Sequence, residues 1–313
     1  MKYSVTIPAY KSKFLKECID SILAQTFEDF EIVIVNDASP EDLDSIVNQY
    51  TDPRIRYYVN EKNCGAIDVV DNWNKCLQYA QGDYIICMGD DDMLAPNCLE
   101  EYNTLMEKYP NLDVYHTRTM MVDENSQFCD LQEERPEYES VYSMIWHRFM
   151  KARIQFIGDY LFKTSALRDA GGFYKLPLAW ESDCVTSYIA ANNKGIANTS
   201  TPIFYYRQNR SSITNSQNVR IKMDATLQFE QWLHNFLEYQ PKDNFDNKYW
   251  TLIKRDVGGR IKHNKIYMIG DDIKCSHLSS IIYWLNNRKR LGLSVPELLF
   301  SVGIGVTLMF KRN

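Results

Sequence analysis

Basic residues are in short supply in this 313-residue sequence: 35 lysines and arginines stand against 41 aspartates and glutamates, a formal net charge of −6. Nucleic-acid-binding proteins usually carry a basic surplus, so we expect no nucleic-acid partner. The eight cysteines form no CxxC pair, which argues against zinc-finger and disulfide frameworks. Since no signal peptide precedes the first predicted strand either, we expect a cytoplasmic protein.

Several motifs of nucleotide-dependent and hydrolytic enzymes are missing as well. Neither GxGxxG nor GxxxxGK[ST] follows the first predicted strand, which disfavours a dinucleotide-dependent dehydrogenase and a P-loop enzyme. No GxSxG sequence supplies a nucleophilic serine, and the five histidines show no metal-ligand spacing. The remaining candidates for chemistry are carboxylates.

Short apolar runs alternate with amphipathic stretches over the first hundred residues. Four of these runs predict strands, at residues 4–8, 31–36, 55–59 and 84–88. The stretches between them predict helices, one capped by Ser12 and one opened by Ser39 and Pro40. This alternation predicts an α/β fold with a mostly parallel sheet flanked by helices.

The rest of the chain has a different pattern. Residues 114–122 and 203–206 predict two further strands among short helices. Residues 216–313 are mostly amphipathic and predict a helical extension packed on the main domain.

Three consecutive aspartates, Asp90, Asp91 and Asp92, follow the fourth predicted strand. Adjacent carboxylates repel one another unless a cation or donor groups offset their charge. Carboxylates suit Mg²⁺ or Mn²⁺, which commonly bridge one or two protein carboxylates and the phosphates of a substrate. The cluster therefore predicts either a metal site at the carboxyl edge of the sheet or a solvated turn.

Other charged residues each allow two interpretations. Asp37 ends the second strand, where it can bind a ribose or base edge or cap the following helix. Asp183, with Glu181 close by, opens a helix either as a general base or as a cap. Arg207 and Arg210 follow a strand and can clamp a diphosphate or lie exposed.

Nine short segments together carry more information than any one motif. They are VTIPAY (5–10), CIDSILAQTF (18–27), EIVIVNDAS (31–39), NCG (63–65), AQGDYIICMGDDDMLAP (80–96), GGF (171–173), AWESD (179–183), YR (206–207) and SSI (211–213). In this order they resemble the family 2 glycosyltransferases of the GT-A fold. The resemblance implies metal-dependent, inverting transfer of a sugar from a nucleoside-diphosphate sugar, most commonly UDP-linked, to an acceptor hydroxyl.

The resemblance also implies a domain layout and a donor site. Residues 1–215 are expected to form the catalytic domain, with a nucleotide-sugar half to about residue 110 and an acceptor half beyond it, and residues 216–313 the helical extension. The residues implied to bind the donor are Pro8, Ala9, Tyr10, Asp37, Asn63, Gly65, Asp90 and Arg207.

The acidic cluster resembles the D-x-D metal site of the family, which implies Asp91 and Asp92 as ligands of Mn²⁺ or Mg²⁺. Gly89 stands where the first aspartate of that site is usual, so Asp90 is expected to replace its ribose or sugar contact. A second departure is Val70-Asp71-Asn72, where members often place an arginine before the asparagine, so no phosphate contact is inferred there.

The base of the family usually lies in an E-D pair that opens a helix, which implies Asp183 as the base and Glu181 as the fallback. Two other functions stay open. A sugar-1-phosphate nucleotidyltransferase would need a loop rich in glycine, arginine and lysine after the first strand, where Tyr10-Lys11-Ser12 stands instead. A non-catalytic nucleotide-sugar-binding subunit would keep the pocket without needing Asp183.

An apolar run of 13 residues, 298–310, lies near the C-terminus between basic residues at 288–290 and 311–312. It is too short to span a bilayer, which takes about 20 residues. It predicts either a core helix or a peripheral membrane contact through residues 294–313. The expected partners are a nucleotide-sugar donor and a glycan or lipid-linked sugar acceptor at the cytoplasmic face, in surface polysaccharide or glycolipid assembly.

Overall fold

A computed structural model of the protein describes residues 1–150, 153–209 and 218–310. The chain forms two compact units, one of Met1–Lys175 with Ser182–Arg210 and the other of Leu176–Glu181 with Ser211–Asn313. The predicted domain boundary at residue 215 stays a prediction, because it lies outside the described residues. Arg210, the segment 211–213 and the basic residues at 311–312 lie outside them as well.

Ten strands of the first unit form one sheet. In chain order they are β1 (Tyr3–Ala9), β2 (Phe30–Asn36), β3 (Ile55–Val59), β4 (Tyr84–Cys87), β5 (Met93–Leu94), β6 (Val114–Val122), β7 (Phe128–Leu131), β8 (Tyr138–Glu139), β9 (Tyr160–Lys163) and β10 (Ile196–Arg207). Their order in the sheet is β3-β2-β1-β4-β9-β6-β10-β5, with β7 paired to β6 and β8 to β10.

Strands β3, β2, β1 and β4 run parallel to one another, as the alternation of strands and helices predicts. β2 is buried along its whole length, and β1 is buried except at Pro8. Parallel sheets are covered by helices on both faces, which explains the nearly complete burial of these two strands. Because Ala9 pairs with Asn36, the carboxyl ends of β1 and β2 lie side by side at one edge.

The other half of the sheet is mixed. β9 pairs antiparallel with both β4 and β6, whereas β10 runs parallel to β6. β10 is longer than the predicted strand at 203–206, because its polar first half also pairs with β6 and β8. Its register shifts between Asn198 and Phe204, and the sequence of this irregular stretch lacks the apolar pattern of a strand.

Seven helices accompany the described strands of this unit. They are α1 (Leu15–Leu23), α2 (Asp44–Val47), α3 (Val69–Tyr79), α4 (Cys98–Lys108), α5 (Val141–Met150), α6 (Thr164–Asp169) and α7 (Ser182–Ala191). α1 buries Leu15, Cys18, Ile19 and Ile22, the face that its apolar spacing predicts, in the same core as β1 and β2.

The predicted cap of α1 is wrong. The helix begins at Leu15 and has no side-chain cap. Instead, the backbone N–H and the hydroxyl of Ser12 both donate to Oε2 of Glu41, at 2.6 Å each. A partner 29 residues away therefore takes the side chain that a local motif assigns to the helix.

The predicted start of the next helix, at Ser39 and Pro40, is also wrong, since α2 occupies only Asp44–Val47. The hydroxyl of Ser39 donates to the carbonyl oxygen of Tyr10 at 2.6 Å. This bond joins the loop after β2 to the loop after β1, at the edge where the predicted donor residues lie.

The described part of the second unit contains three long helices, α8 (Val219–Phe236), α9 (Asn244–Asn287) and α10 (Val295–Phe310). Asp243 caps the start of α9, and its carboxylate accepts two backbone N–H groups. Gly270 and Gly305 let α9 and α10 approach closely, because a Cβ on Gly305 would lie 2.8 Å from the carbonyl oxygen of Gly270. None of the described helices has both the length and the apolar character needed to cross a membrane.

Candidate active site

Residues 89–92, which we call the acidic loop, follow β4, and Asp90 joins this loop to the loop after β1. Its Oδ2 accepts the backbone N–H groups of Tyr10 and Lys11, both at 2.7 Å. The side chain is buried, and burial together with the nearby charge of Asp91 raises the pKa of Asp90 to about 6. Asp90 therefore fixes the backbone next to Pro8 and Ala9, while the side chain of Tyr10 stays exposed.

Asp91 and Asp92 are held from the end of β10. Oδ1 of Asp92 accepts the backbone N–H of Arg207 at 3.0 Å, and Oδ2 of Asp91 accepts the side-chain amide of Asn209. Burial raises the pKa of the Asp91 carboxyl. Burial and then the charge of Asp91 raise that of Asp92. The two carboxylates thus lie together where water is largely excluded, and Lys11 and Arg207 offset part of the charge of Asp91.

Gly89 makes room for these carboxylates. A Cβ at this position would lie 2.8 Å from Oδ1 of Asp91 and 3.0 Å from Oδ2 of Asp92. A side chain at position 89 would therefore clash with the two carboxylates. This clash accounts for a glycine where the D-x-D pattern usually has its first aspartate.

This donor set fits a hard divalent cation. Mg²⁺ and Mn²⁺ commonly take one or two carboxylates from a protein, and substrate phosphates and water complete the coordination. No group of three or more His, Cys, Asp or Glu side chains placed to hold a metal occurs among the described residues. Asp91 and Asp92 would therefore bind a cation together with further ligands, such as phosphate oxygens and water.

The structure places Arg207 in the protein interior, with its side chain fully buried. A guanidinium has five N–H donors, and each has an acceptor here. The acceptors are the carbonyl oxygens of Asp91 and Asp123, Oγ of Ser126, Oε2 of Glu17 and Sδ of Met93. This geometry is at odds with the predicted donor contact of Arg207, because a new contact would require breaking an existing one.

Asp37 is not a helix cap, because no helix begins until Asp44. Its Oδ1 accepts the side-chain amide of Asn60 at 2.7 Å and the backbone N–H of Cys64 at 3.0 Å. The carbonyl oxygen of Asp37 accepts the side-chain amide of Asn63 at 2.7 Å. The loop at 60–65 is therefore folded around Asp37 at the end of β2.

Gly65 completes this loop. Its backbone N–H donates to Oδ1 of Asn63, and its φ of 81° lies in the left-handed region that favours glycine. The structure thus brings Asp37, Asn63 and Gly65 together as predicted neighbours, at the same sheet edge as Tyr10.

Asp183 lies in the first turn of α7, where its carboxylate also benefits from the helix dipole. The neighbouring Cys184 donates its thiol to Oε1 of Gln155 at 3.1 Å. Phe156, next along the chain, stacks on Tyr206 of β10 with ring centroids 3.8 Å apart. These contacts connect the start of α7 to the strand that holds the acidic loop.

Glu181, the fallback base, has a different setting. It belongs to the segment Leu176–Glu181 of the second unit and has a φ of 69°. Leu178 and Ala179 of the same segment also have positive φ, at 60° and 53°. Three of the six described non-glycine residues with positive φ therefore lie in this short segment, and strained backbone of this kind concentrates at functional sites.

Three residues of this site were missed by the sequence reasoning: Glu17, Asn60 and Asn209. Each contacts a predicted site residue, namely Arg207, Asp37 and Asp91 respectively. Only the position of Asn60, one residue beyond β3, offered a signal, because β3 ends at the same edge as β2.

Two solved structures are similar to this chain along nearly its whole length. Staphylococcus aureus TarS 1–349 in complex with UDP-GlcNAc superposes with a TM-score of 0.65 at 15% sequence identity, covering 98% of this chain and 91% of that one. The mannosyltransferase PcManGT of Pyrobaculum calidifontis, with GDP-Man and Mn²⁺, gives 0.56 at 14% identity, covering 100% and 88%. These likenesses confirm the GT-A fold class predicted from the sequence.

The model of glycosyl transferase family 2 matches residues 4–169, more than half of the chain. The protein belongs to this family. Glycosyltransferase MJ1057 of Methanocaldococcus jannaschii is 34% identical over 139 residues, and GlyG of Streptococcus pneumoniae is 33% identical over 109. The matched parts cover 43% and 34% of this chain, and only 46% and 35% of those proteins.

Proposed function

We propose that the protein is an inverting glycosyltransferase that moves a sugar from a nucleoside-diphosphate sugar, UDP-linked in the first instance, to an acceptor hydroxyl. The observation that carries this proposal is the adjacent pair Asp91 and Asp92, half-buried and buried respectively, which follows β4 at the same sheet edge as the Asp37 loop. UDP-GlcNAc and GDP-Man in the two similar structures support a nucleotide-sugar donor.

The donor would lie along the carboxyl edge of β1, β2 and β4. Pro8, Ala9 and Tyr10 would pack on the nucleobase, and Asp37 would meet its polar edge from the loop that includes Asn63 and Gly65. Asp90 would act through the loop it fixes, because its Oδ2 already accepts two backbone N–H groups.

Asp91 and Asp92 would hold a Mn²⁺ or Mg²⁺ ion. When bound, such an ion stabilises the negative charge on the departing diphosphate. Mn²⁺ in the PcManGT structure supports this assignment. The Asp183 carboxylate would take the proton of the acceptor hydroxyl as that oxygen attacks the anomeric carbon opposite the leaving group, and inversion follows from this single displacement. Glu181 is the fallback for that role.

We further propose that the acceptor is a glycan or a lipid-linked sugar in surface polysaccharide or glycolipid assembly, reached at the cytoplasmic face of the membrane. α10 supports a peripheral contact because it is apolar on two sides. Leu298 is buried in the second unit, whereas Leu299 and Phe300 are 63% and 59% exposed. Exposed apolar side chains near the basic residues 288–290 suit an anionic lipid surface.

A thermal-shift screen with UDP- and GDP-sugars, with and without Mn²⁺, tests the donor and the cation together. We expect a UDP-sugar to stabilise the wild type only with the cation, and Asp91→Ala to lose both this shift and most donor turnover. Asp130→Ala, on the exposed strand β7, is the matched control and should behave like the wild type. Full activity in excess EDTA would exclude the metal, and donor stabilisation without turnover of any donor would favour the non-catalytic subunit.

A further inference from the structure

The side chain of Arg207, at the end of β10, binds side chains of α1 and of the hairpin between β6 and β7. Nη2 of Arg207 donates to Oε2 of Glu17 at 2.7 Å, and Nη1 donates to Oγ of Ser126 at 2.9 Å. The hydroxyl of Ser126 in turn donates to Oε1 of Glu17 at 2.8 Å. The three side chains therefore form a triangle, and the guanidinium also lies 4.2 Å from the ring centroid of Phe14.

The same arginine holds the acidic loop at two points. Its backbone N–H donates to the Asp92 carboxylate at 3.0 Å, and its Nε donates to the carbonyl oxygen of Asp91 at 2.8 Å. The side chain is 0% exposed, whereas that of Glu17 is 44% exposed. Arg207 is thus the buried link between the acidic loop and a surface carboxylate on α1.

Two groups of contacts meet at Arg207. Its Nη1 and Nη2 atoms bind Ser126 and Glu17, whereas its backbone N–H and its Nε bind the acidic loop. The contacts of Arg207 therefore fix Asp91 through its backbone carbonyl oxygen and Asp92 through one carboxylate oxygen.

We propose that Arg207, with Glu17 as its counter-ion, is a positioning residue that orients Asp91 and Asp92 for a divalent cation and does not itself touch the donor. This inference rests on the proposed function, since it concerns the same site. In this role Arg207 holds the metal ligands without binding the metal itself. Mutation of residues that hold metal ligands in this way weakens metal affinity.

Manganese binding distinguishes a positioning residue from a donor ligand. Free Mn²⁺ is measured by electron paramagnetic resonance at saturating UDP, and UDP affinity by calorimetry at saturating Mn²⁺. For Arg207→Lys we expect the Mn²⁺ dissociation constant to rise roughly 10–100-fold, with UDP affinity restored once Mn²⁺ saturates. Glu17→Gln should shift the Mn²⁺ constant in the same direction by a smaller factor.

Glu124→Gln is the matched control, because Glu124 forms an exposed ion pair with Lys13 on the same side of the unit. Surface pairs of this kind contribute little, so its Mn²⁺ affinity should equal that of the wild type. If Arg207→Lys keeps a weakened UDP affinity at saturating Mn²⁺ while Glu17→Gln matches the wild type, Arg207 is a donor ligand and the inference fails.

Two further outcomes are decisive. Should Arg207→Lys not fold, unchanged Mn²⁺ affinity in folded Glu17→Gln overturns the inference. A wild-type protein that binds UDP but no Mn²⁺ refutes the proposed cation site, and with it the positioning role. Mn²⁺ binding by the wild type with unchanged constants in both variants refutes the positioning role alone.

Discussion

Replacing Gly89 by alanine perturbs the acidic loop with a single methyl group. The new Cβ would lie 2.8 Å from Oδ1 of Asp91 and 3.0 Å from Oδ2 of Asp92, whereas ordinary contact begins at 3.4 Å. Gly89 is not among the glycines with positive φ, so the backbone itself tolerates a side chain. The carboxylates of Asp91 and Asp92 must therefore move away from the new Cβ by about half an ångström to reach ordinary contact.

The magnitude follows from the geometry that a metal site demands. Metal–ligand distances hold within about 0.2 Å, and a misplacement of about 1 Å can cost roughly 10²-fold in rate. A shift of about half that size predicts a loss of about tenfold in kcat/KM. We expect the loss to come with a raised half-saturation for Mn²⁺ and with little change in Tm, because only side-chain ends move.

The assay is steady-state turnover of the preferred UDP-sugar against Mn²⁺ concentration, with Tm measured in parallel. Gly258→Ala is the control, since a Cβ there meets nothing within 4 Å and the residue lies in helix α9. It should leave turnover unchanged and stabilise the protein by about 0.5–1 kcal/mol. Wild-type Mn²⁺ dependence and turnover in Gly89→Ala would contradict this prediction, as would a Gly89→Asp variant more active than Gly89→Ala.

Three further predictions concern other parts of the chain. Asp183→Asn should lower single-turnover rates roughly 10²–10⁴-fold with donor affinity unchanged, and Glu181→Gln should be much milder; the reverse ranking would transfer the base to Glu181. Burial lowers the pKa of His116 to about 4, so as pH falls the unfolded chain takes up a proton first and stability is lost between about pH 6.5 and 4. Urea unfolding should show a smaller loss in His116→Gln, and an equal loss would contradict this assignment. Changing Leu299 and Phe300 to serine should reduce co-sedimentation with anionic liposomes while leaving Tm nearly unchanged, and undiminished binding would exclude α10 as the contact.

The strands of the parallel half were predictable because their signal is local. β3 occupies the predicted residues, and β1, β2 and β4 differ from them by one residue at one or both ends; β6, in the mixed half, also occupies its predicted residues. A short apolar or alternating run is the signal of a strand, and four to seven residues contain the whole pattern in the parallel half. The placement of Asp37 and Asp90 at the ends of strands followed from the same runs.

The polar contacts were not predictable in the same way. Ser12 fits a cap motif, yet it bonds to Glu41, because the loop after β2 passes close by in the folded chain. Arg207 has the position of a donor clamp in the sequence, yet it is buried with all five donors engaged. Short polar motifs specify what a side chain can bind, and the nearest partner in space decides what it does bind.

The α/β layout, the family and the acidic residues at the carboxyl edge of the sheet could be predicted from the sequence, since strand pattern and strand ends are properties of neighbouring residues. Which side chains bind one another at that edge depends on the folded chain. The bond between Arg207 and Glu17 joins residues 190 positions apart, and Tyr10 reaches Asp90 across 80. Local sequence patterns do not reveal these contacts, because the contacts form only when the sheet brings the ends of β1, β4 and β10 together with helix α1.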